Sequence, residues 1–173
     1  MKFLVSSVFL VLSVSLFAQK IDELEYLLKQ NVSVHNDSVN ITTQILVEEQ
    51  AVKINDETLY YWYKAGRIHQ SRGGLAGDVL HGNYVEYFEN GNIKIQGVFF
   101  LGTKDETWKE WYSNGELKTI QNWKKGVLHG ESKMFGLNGK VSSLKKYKNG
   151  EEQLEGENKN KKINFKKNKM EKE

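Results

Sequence analysis

The stretch Tyr87–Gly102, YFENGNIKIQGVFFLG, returns twice downstream, as WYSNGELKTIQNWKKG at Trp111–Gly126 and as FGLNGKVSSLKKYKNG at Phe135–Gly150. In each copy an aliphatic residue stands two positions after the first Gly, an aromatic eight after it and a second Gly eleven after it. The pairs Asn90-Gly91, Asn114-Gly115 and Asn138-Gly139 are spaced by 24 and 24 residues. Self-similarity at such a period marks a repeat architecture. Asn-Gly between apolar runs is a strong hairpin signal, because a type I′ turn needs positive φ at both central residues and these two tolerate it best. Each unit therefore reads as strand, Asn-Gly turn, strand and a second turn at the later Gly.

An earlier unit fits the same frame, with Gly66 in the turn and Gly77 eleven residues on. Four units then run from about Leu59 to Gly150. The expected fold is all-β: an elongated antiparallel β-meander of tandem hairpins of about 24 residues, with a short N-terminal helix and strand cap. A two-residue turn at Asn90-Gly91 sets Phe88 opposite Ile93, Glu86 opposite Ile95 and Tyr84 opposite Gly97. Alternation then places Tyr84, Phe88, Ile93 and Phe99 on one face, followed by Trp108, Tyr112, Leu117 and Trp123, and by the thinner set Ser132, Gly136, Val141 and Tyr147. Leu59, Tyr63 and Ile68 take this face in the first unit. A three-residue turn would shift the register and swap some faces.

The opposite face is expected to carry Trp62, Tyr87, Trp111 and Phe135, with Lys94, Lys118, Lys109 and Lys133 around them. An aromatic row flanked by lysines suits contact with a protein partner, a glycan or a charged headgroup. The plainer reading is that these rings pack on cross-strand neighbours and lysine stems.

The chain has 173 residues, with 25 Lys+Arg against 22 Asp+Glu, a formal charge of +3, and neither Cys nor Pro. These values bound it to about one domain. Residues 1–18 read as a signal peptide, with Lys2 ahead of sixteen apolar or small residues and Ala18 at the cut; an uncleaved anchor is the alternative. Export to the periplasm or the medium follows from that reading, and without Cys the fold must rest on packing and backbone pairing. Residues 19–56 form the expected cap: helical spacing in IDELEYLLKQ, one or two strands after it, and a hairpin through Asn55-Asp56. The repeats occupy 57–151. The lysine-rich segment 152–173 buries too little apolar area to order itself.

No cofactor or metal is expected. His81 and His129 recur in LHG at one repeat position, but two units place them about 19 Å apart, from four strand spacings of about 4.8 Å, too far to share an ion. They read as turn residues. Cysteine nucleophiles are absent from the sequence, no phosphate loop or dinucleotide fingerprint occurs, and the repeated carboxylates Glu86 and Glu110 give way to Met134 in the third copy. The expectation is a protein that is not an enzyme and does not bind nucleic acid.

The recurring G-x-x-x-x-aromatic-x-x-Asn-Gly, with its later aromatic and Gly, resembles the MORN repeat in the variant form of bacterial YwqK-type toxin–antitoxin system antitoxins. The residues carrying it include Gly82, Tyr87, Asn90, Gly91, Phe99 and Gly102 and their equivalents; Glu106 departs from it where Gly82 and Gly130 stand, and Gly136 where an aromatic stands. The resemblance implies an elongated sheet of hairpins and interaction rather than catalysis: an antitoxin or immunity protein with a protein partner, such as an exported toxin. The alternative is an envelope or membrane-associated structural module binding headgroups or cell-wall glycan.

Overall fold

The computed structural model describes residues 29–36, 39–47 and 52–154. The segment expected to be a signal peptide, residues 21–28 of the expected helix and the lysine-rich segment from residue 155 onward lie outside the described residues, and Lys29 and Gln30, the end of that expected helix, begin a strand. Within them the chain is strand and turn, without helix. The strands are β1 (Lys29–Asn36), β2 (Val39–Leu46), β3 (Leu59–Lys64), β4 (Arg67–Arg72), β5 (Asp78–Tyr87), β6 (Ile93–Phe100), β7 (Thr103–Trp111), β8 (Leu117–Lys124), β9 (Val127–Phe135), β10 (Val141–Lys148) and β11 (Glu151–Glu152). They pair antiparallel in the order β1-β2-β5-β6-β7-β8-β9-β10-β11. The all-β meander of tandem hairpins is thus the fold.

The turns differ from expectation in a regular way. Gly91 N–H donates to Phe88 O at 2.9 Å and Phe88 N–H to Asn92 O at 2.8 Å, which closes a three-residue loop, Glu89-Asn90-Gly91. Tyr112 with Gly115 and Glu116, and Gly136 with Gly139 and Lys140, repeat both bonds. Only the Gly of each loop has positive φ, 82°, 87° and 70°. Such a loop is a type I turn followed by a left-handed Gly. The two-residue type I′ turns lie instead at the second Gly: Leu101-Gly102, Lys125-Gly126 and Asn149-Gly150 have positive φ at both residues. The Asn of the first turn has another task. Asn90 Oδ1 accepts Asn92 N–H at 3.0 Å, Asn114 Oδ1 accepts Glu116 N–H at 3.1 Å and Asn138 Oδ1 accepts Lys140 N–H at 3.0 Å.

A three-residue loop should displace the register by one, yet Tyr84 still opposes Gly97 and Glu86 still opposes Ile95. The displacement is undone by a bulge in β6, where Tyr87 opposes Ile93 and Lys94 is the extra residue. Trp111 opposite Leu117, with Glu110 opposite Thr119, and Phe135 opposite Val141, with Met134 opposite Ser143, repeat the device. Ile93, Leu117 and Val141 therefore face away from the core, contrary to the expected faces, and Ile93 and Val141 are exposed. Ile95 packs on the core instead.

A second bulge recurs at Gly82, Glu106 and Gly130, all with positive φ (106°, 57° and 103°). There one strand advances two residues while its neighbour advances four, as from Gln96↔Lys109 to Val98↔Asp105. A Cβ at position 82 would overlap the Gln44 side chain. Glu106 adopts the same left-handed class of backbone with a side chain that disfavours it.

The first expected unit departs from the others. Ala65-Gly66 is a two-residue turn, with Lys64 opposite Arg67, and the β3–β4 hairpin leaves the main path, held to β5 only through Trp62↔Val79 and Tyr63↔Asp78. The β1–β2 hairpin lies beside β5 in its stead, with Thr43 opposite Tyr84 and Ile45 opposite Leu80. Freed from the sheet, β3–β4 covers one face of it. Tyr61 N–H donates to Gly102 O at 2.6 Å, and the Tyr61 ring lies 4.9 Å from that of Phe99. Asn55-Asp56 does begin a turn, but residues 52–55 form no strand.

The core under this cover is Val34, Ile41, Ile45, Leu80, Tyr84, Phe99 and Trp108. Leu80 and Phe99 are 0% and 2% exposed. Phe99 meets Tyr84 and Trp108 edge-on, at 5.3 and 4.9 Å between centroids. Each such pair adds about 0.5–1.5 kcal/mol to the burial of its rings. Burial fades toward the C-terminal end, where Met134, Leu137, Val141 and Leu144 are all exposed.

Candidate interaction surfaces

Of the six residues expected to form a partner face, three stand in one row. Tyr87, Trp111 and Phe135 each lie an odd number of residues from a core-facing position of the same strand, Tyr84, Trp108 and Ser132, and so point to the other face. Each is half-buried and opposes an aliphatic residue, Ile93, Leu117 or Val141. The aromatic–aliphatic pair thus recurs at every second strand, about 9.6 Å apart from two strand spacings. Among the described residues no strand is layered over this face, whereas β3–β4 lies over the other.

Trp62 is elsewhere. It belongs to the β3–β4 hairpin, stacks on His69 at 4.4 Å and donates its indole N–H to Ser71 Oγ at 2.9 Å. Lys94 and Lys118 are also displaced from the row, because the bulge turns them toward the core-facing side. Lys94 Nζ pairs with Glu86 at 2.7 Å and stands 5.9 Å from the Phe88 ring centre. Lys118 pairs with Glu110 at 2.7 Å and stands 5.9 Å from the Tyr112 ring centre. Partly exposed pairs of this kind contribute little to stability, about 0–1 kcal/mol. They fix the edge of the core instead: Glu86 also accepts the Tyr84 hydroxyl at 3.2 Å. Burial first, then the Glu86 charge, push the Tyr84 phenol well above the usual tyrosine range.

The turn residues Asn90, Gly91, Asn114, Gly115, Asn138 and Gly139 lie at one end of the sheet, where the first turn is tied to the second. Asn90 and Asn92 both donate their amide N–H groups to Ser113 O, at 2.9 and 3.0 Å. At the opposite end, Gly102, Gly126 and Gly150 N–H donate to Leu80, Lys104 and Leu128 O at 2.8, 2.8 and 2.9 Å. His81 belongs to that end. Its Nδ1 accepts Leu101 N–H at 3.2 Å, and one unit later Asp105 Oδ1 accepts Lys125 N–H at 2.9 Å. A carboxylate and an imidazole thus serve one turn-bracing position, a role that the 24-residue spacing of His81 and Asp105 carries in the sequence. His129 stands there in the third unit, with Nδ1 buried and unpartnered.

Lys104 was not singled out by its sequence context. Its ammonium sits 4.3 Å from the Trp108 ring centre and 5.1 Å from that of Trp123. Burial holds it below the usual lysine range, opposed by the charge of Glu110. Contact with two indoles offsets part of that desolvation. Among the described residues no group of three His, Cys, Asp or Glu side chains is placed to hold a metal ion.

Nothing among the curated proteins or the solved structures matches the chain significantly. The MORN repeat variant family matches three segments, residues 80–100, 107–125 and 128–149. They span β5–β6, most of β7–β8 and β9–β10, each with its three-residue turn and bulge; the β3–β4 hairpin falls outside them. Three successive segments of the chain are thus similar to the MORN repeat variant.

Proposed function

We propose that the chain is an exported, non-enzymatic repeat protein that binds a protein partner through the face carrying Tyr87, Trp111 and Phe135, in the manner of an antitoxin or immunity protein. The supporting observation is the threefold recurrence of a half-buried aromatic beside an aliphatic on the face opposite the β3–β4 cover. A contiguous apolar strip on a sheet marks an interaction surface, and aromatic residues are the side chains that most often carry binding energy at such surfaces. Export rests on the reading of residues 1–18.

The test is retention of a partner from the native host on the immobilised full chain, compared with Trp111→Ala. The proposal expects the variant to lose the retained protein while its unfolding free energy in urea falls by no more than half-burial of one indole explains, about 1–1.5 kcal/mol. Unchanged retention by Trp111→Ala would remove the row from the contact. Salt-sensitive sedimentation with anionic vesicles, in place of protein capture, would favour an envelope surface instead.

A further inference from the structure

The middle repeat unit departs from its neighbours in one short stretch. Val79-Leu80-His81-Gly82 and Val127-Leu128-His129-Gly130 agree at all four positions, but the unit between them reads Thr103-Lys104-Asp105-Glu106. Asp105 keeps the turn-bracing bond that His81 makes, so that change leaves the fold its support. Two others work against the fold. Glu106 takes a left-handed backbone, φ 57°, where its counterparts are Gly. Lys104 puts a cation where Leu80 is 0% exposed. It opposes Phe99 across the β6–β7 pair, so its stem leaves the sheet on the core-facing side. Local conflicts of this kind, gathered in a few residues, mark functional positions.

Lys94, Lys118 and Lys145 on the same side each hold a glutamate, at 2.7, 2.7 and 2.8 Å. Among the described residues neither a hydrogen bond nor an ion pair holds Lys104. Its ammonium has the indole faces of Trp108 and Trp123 instead. The residue is half-buried, and burial favours its neutral amine.

We infer that Lys104 is a covalent capture site for a small uncharged aldehyde. A lysine desolvated by apolar neighbours and free of a carboxylate is the form that acts as a nucleophile. The ammonium first gives one proton to solvent. The nitrogen lone pair then attacks the carbonyl carbon, the C–N bond forms as the carbonyl π pair moves to oxygen, and both remaining amine protons leave with that oxygen as water, giving the imine. Acyl or phosphoryl transfer would need donors for a developing oxyanion and a leaving group, and what surrounds this amine is two indole faces. Imine formation expels only water. An anionic aldehyde is the poorer reactant, because the Glu110 charge already acts on Lys104 and Lys118 is held by Glu110. The site lies on the core-facing side and is independent of the aromatic row and of any partner bound there.

The test is reductive methylation of the full chain with limiting formaldehyde and cyanoborohydride, read lysine by lysine by peptide mass spectrometry. The inference expects Lys104 to react about tenfold faster than the exposed Lys109 and Lys124 at pH 7, and the advantage to vanish near pH 10.5, where those lysines lose their protons as well. Glu110→Gln, which removes the charge that favours the ammonium, should speed Lys104 further. Lys104→Leu should abolish the fast site and raise the urea midpoint, since both other units place leucine there. A fall in that midpoint would give the cation a structural role and overturn the inference. So would a Lys104 no faster than Lys109 at pH 7, or an advantage that persists near pH 10.5, which would trace to access and not to the proton.

Discussion

Replacing Gly97 with alanine should destabilise the protein by about 1.5–3.5 kcal/mol, because the space a Cβ needs is filled by the indole of Trp108. That indole is 4% exposed and donates its N–H to Val98 O and Asp105 O, both at 3.1 Å. Driving it outward loses one bifurcated hydrogen bond worth about 1 kcal/mol and adds an overpacking cost of about 1–3 kcal/mol. About 0.5 kcal/mol returns, since alanine suits a strand better than glycine. Trp108→Ala alone should cost about 3–5 kcal/mol. If Gly97 is glycine for the sake of Trp108, the alanine becomes harmless once the indole is gone, and the double variant should be no less stable than Trp108→Ala. The next unit already holds the permissive combination, Gln121 opposite Ser132. Urea unfolding followed by far-ultraviolet circular dichroism on all four proteins measures the coupling, expected at about 2–4 kcal/mol. Costs that add to within about 0.5 kcal/mol would refute the steric argument.

Glu106→Gly should raise the stability by about 0.5–1 kcal/mol in thermal denaturation, because it relieves a left-handed backbone at φ 57° that a side chain disfavours; a fall would mean that Glu106 earns its place through its side chain. Asn114→Ala should cost about 0.5–1.5 kcal/mol in urea by orphaning Glu116 N–H, the net value of one hydrogen bond, and no change would deny the asparagine its role within the turn. The raised phenol of Tyr84 fixes the sign of an alkaline effect. The unfolded chain releases that proton near pH 10 while the fold retains it, so this stability is complete below pH 10 and is lost as pH climbs above it. Tyr84→Phe should therefore flatten the decline in urea midpoint between pH 10 and 11.5, and an unaltered slope would exclude Tyr84 as its source.

The sequence declared the period, the strand-and-turn unit and the core aromatics Tyr84, Phe99, Trp108 and Trp123, since bulk at fixed spacing needs no knowledge of turn geometry. It also gave the register in mid-strand, though for an incomplete reason. Asn-Gly suits a type I′ turn, and the sequence alone does not show that the Asn would accept a backbone N–H and leave only Gly left-handed. Two irregularities then cancel, the longer loop and the bulge at Lys94 or Lys118. Their joint effect is invisible at Tyr84↔Gly97 and visible only between Glu86 and Ile95, where Ile93 turns outward and Lys94 inward. That is why Lys94 and Lys118, two of the lysines expected on the aromatic face, pair with Glu86 and Glu110 instead. Trp62 was misplaced for another reason: Gly66 closes the same kind of two-residue turn as Gly102, so counting from it as though it were Gly91 aligns the first hairpin with the wrong half of the repeat.

The claim that governs the rest is that each of the three repeat hairpins, β5–β6, β7–β8 and β9–β10, loses one residue of register in its turn and regains it in a bulge. Cross-strand proton contacts by NMR measure this directly. The account predicts contacts between Tyr84 and Gly97, Trp108 and Gln121, and Ser132 and Lys145, together with Tyr87–Ile93 and Trp111–Leu117 nearer the turns. Contacts pairing Tyr84 with Gln96 and Trp108 with Ile120 would show the displacement carried through the strand, and would contradict both the faces assigned here and the aromatic row built on them.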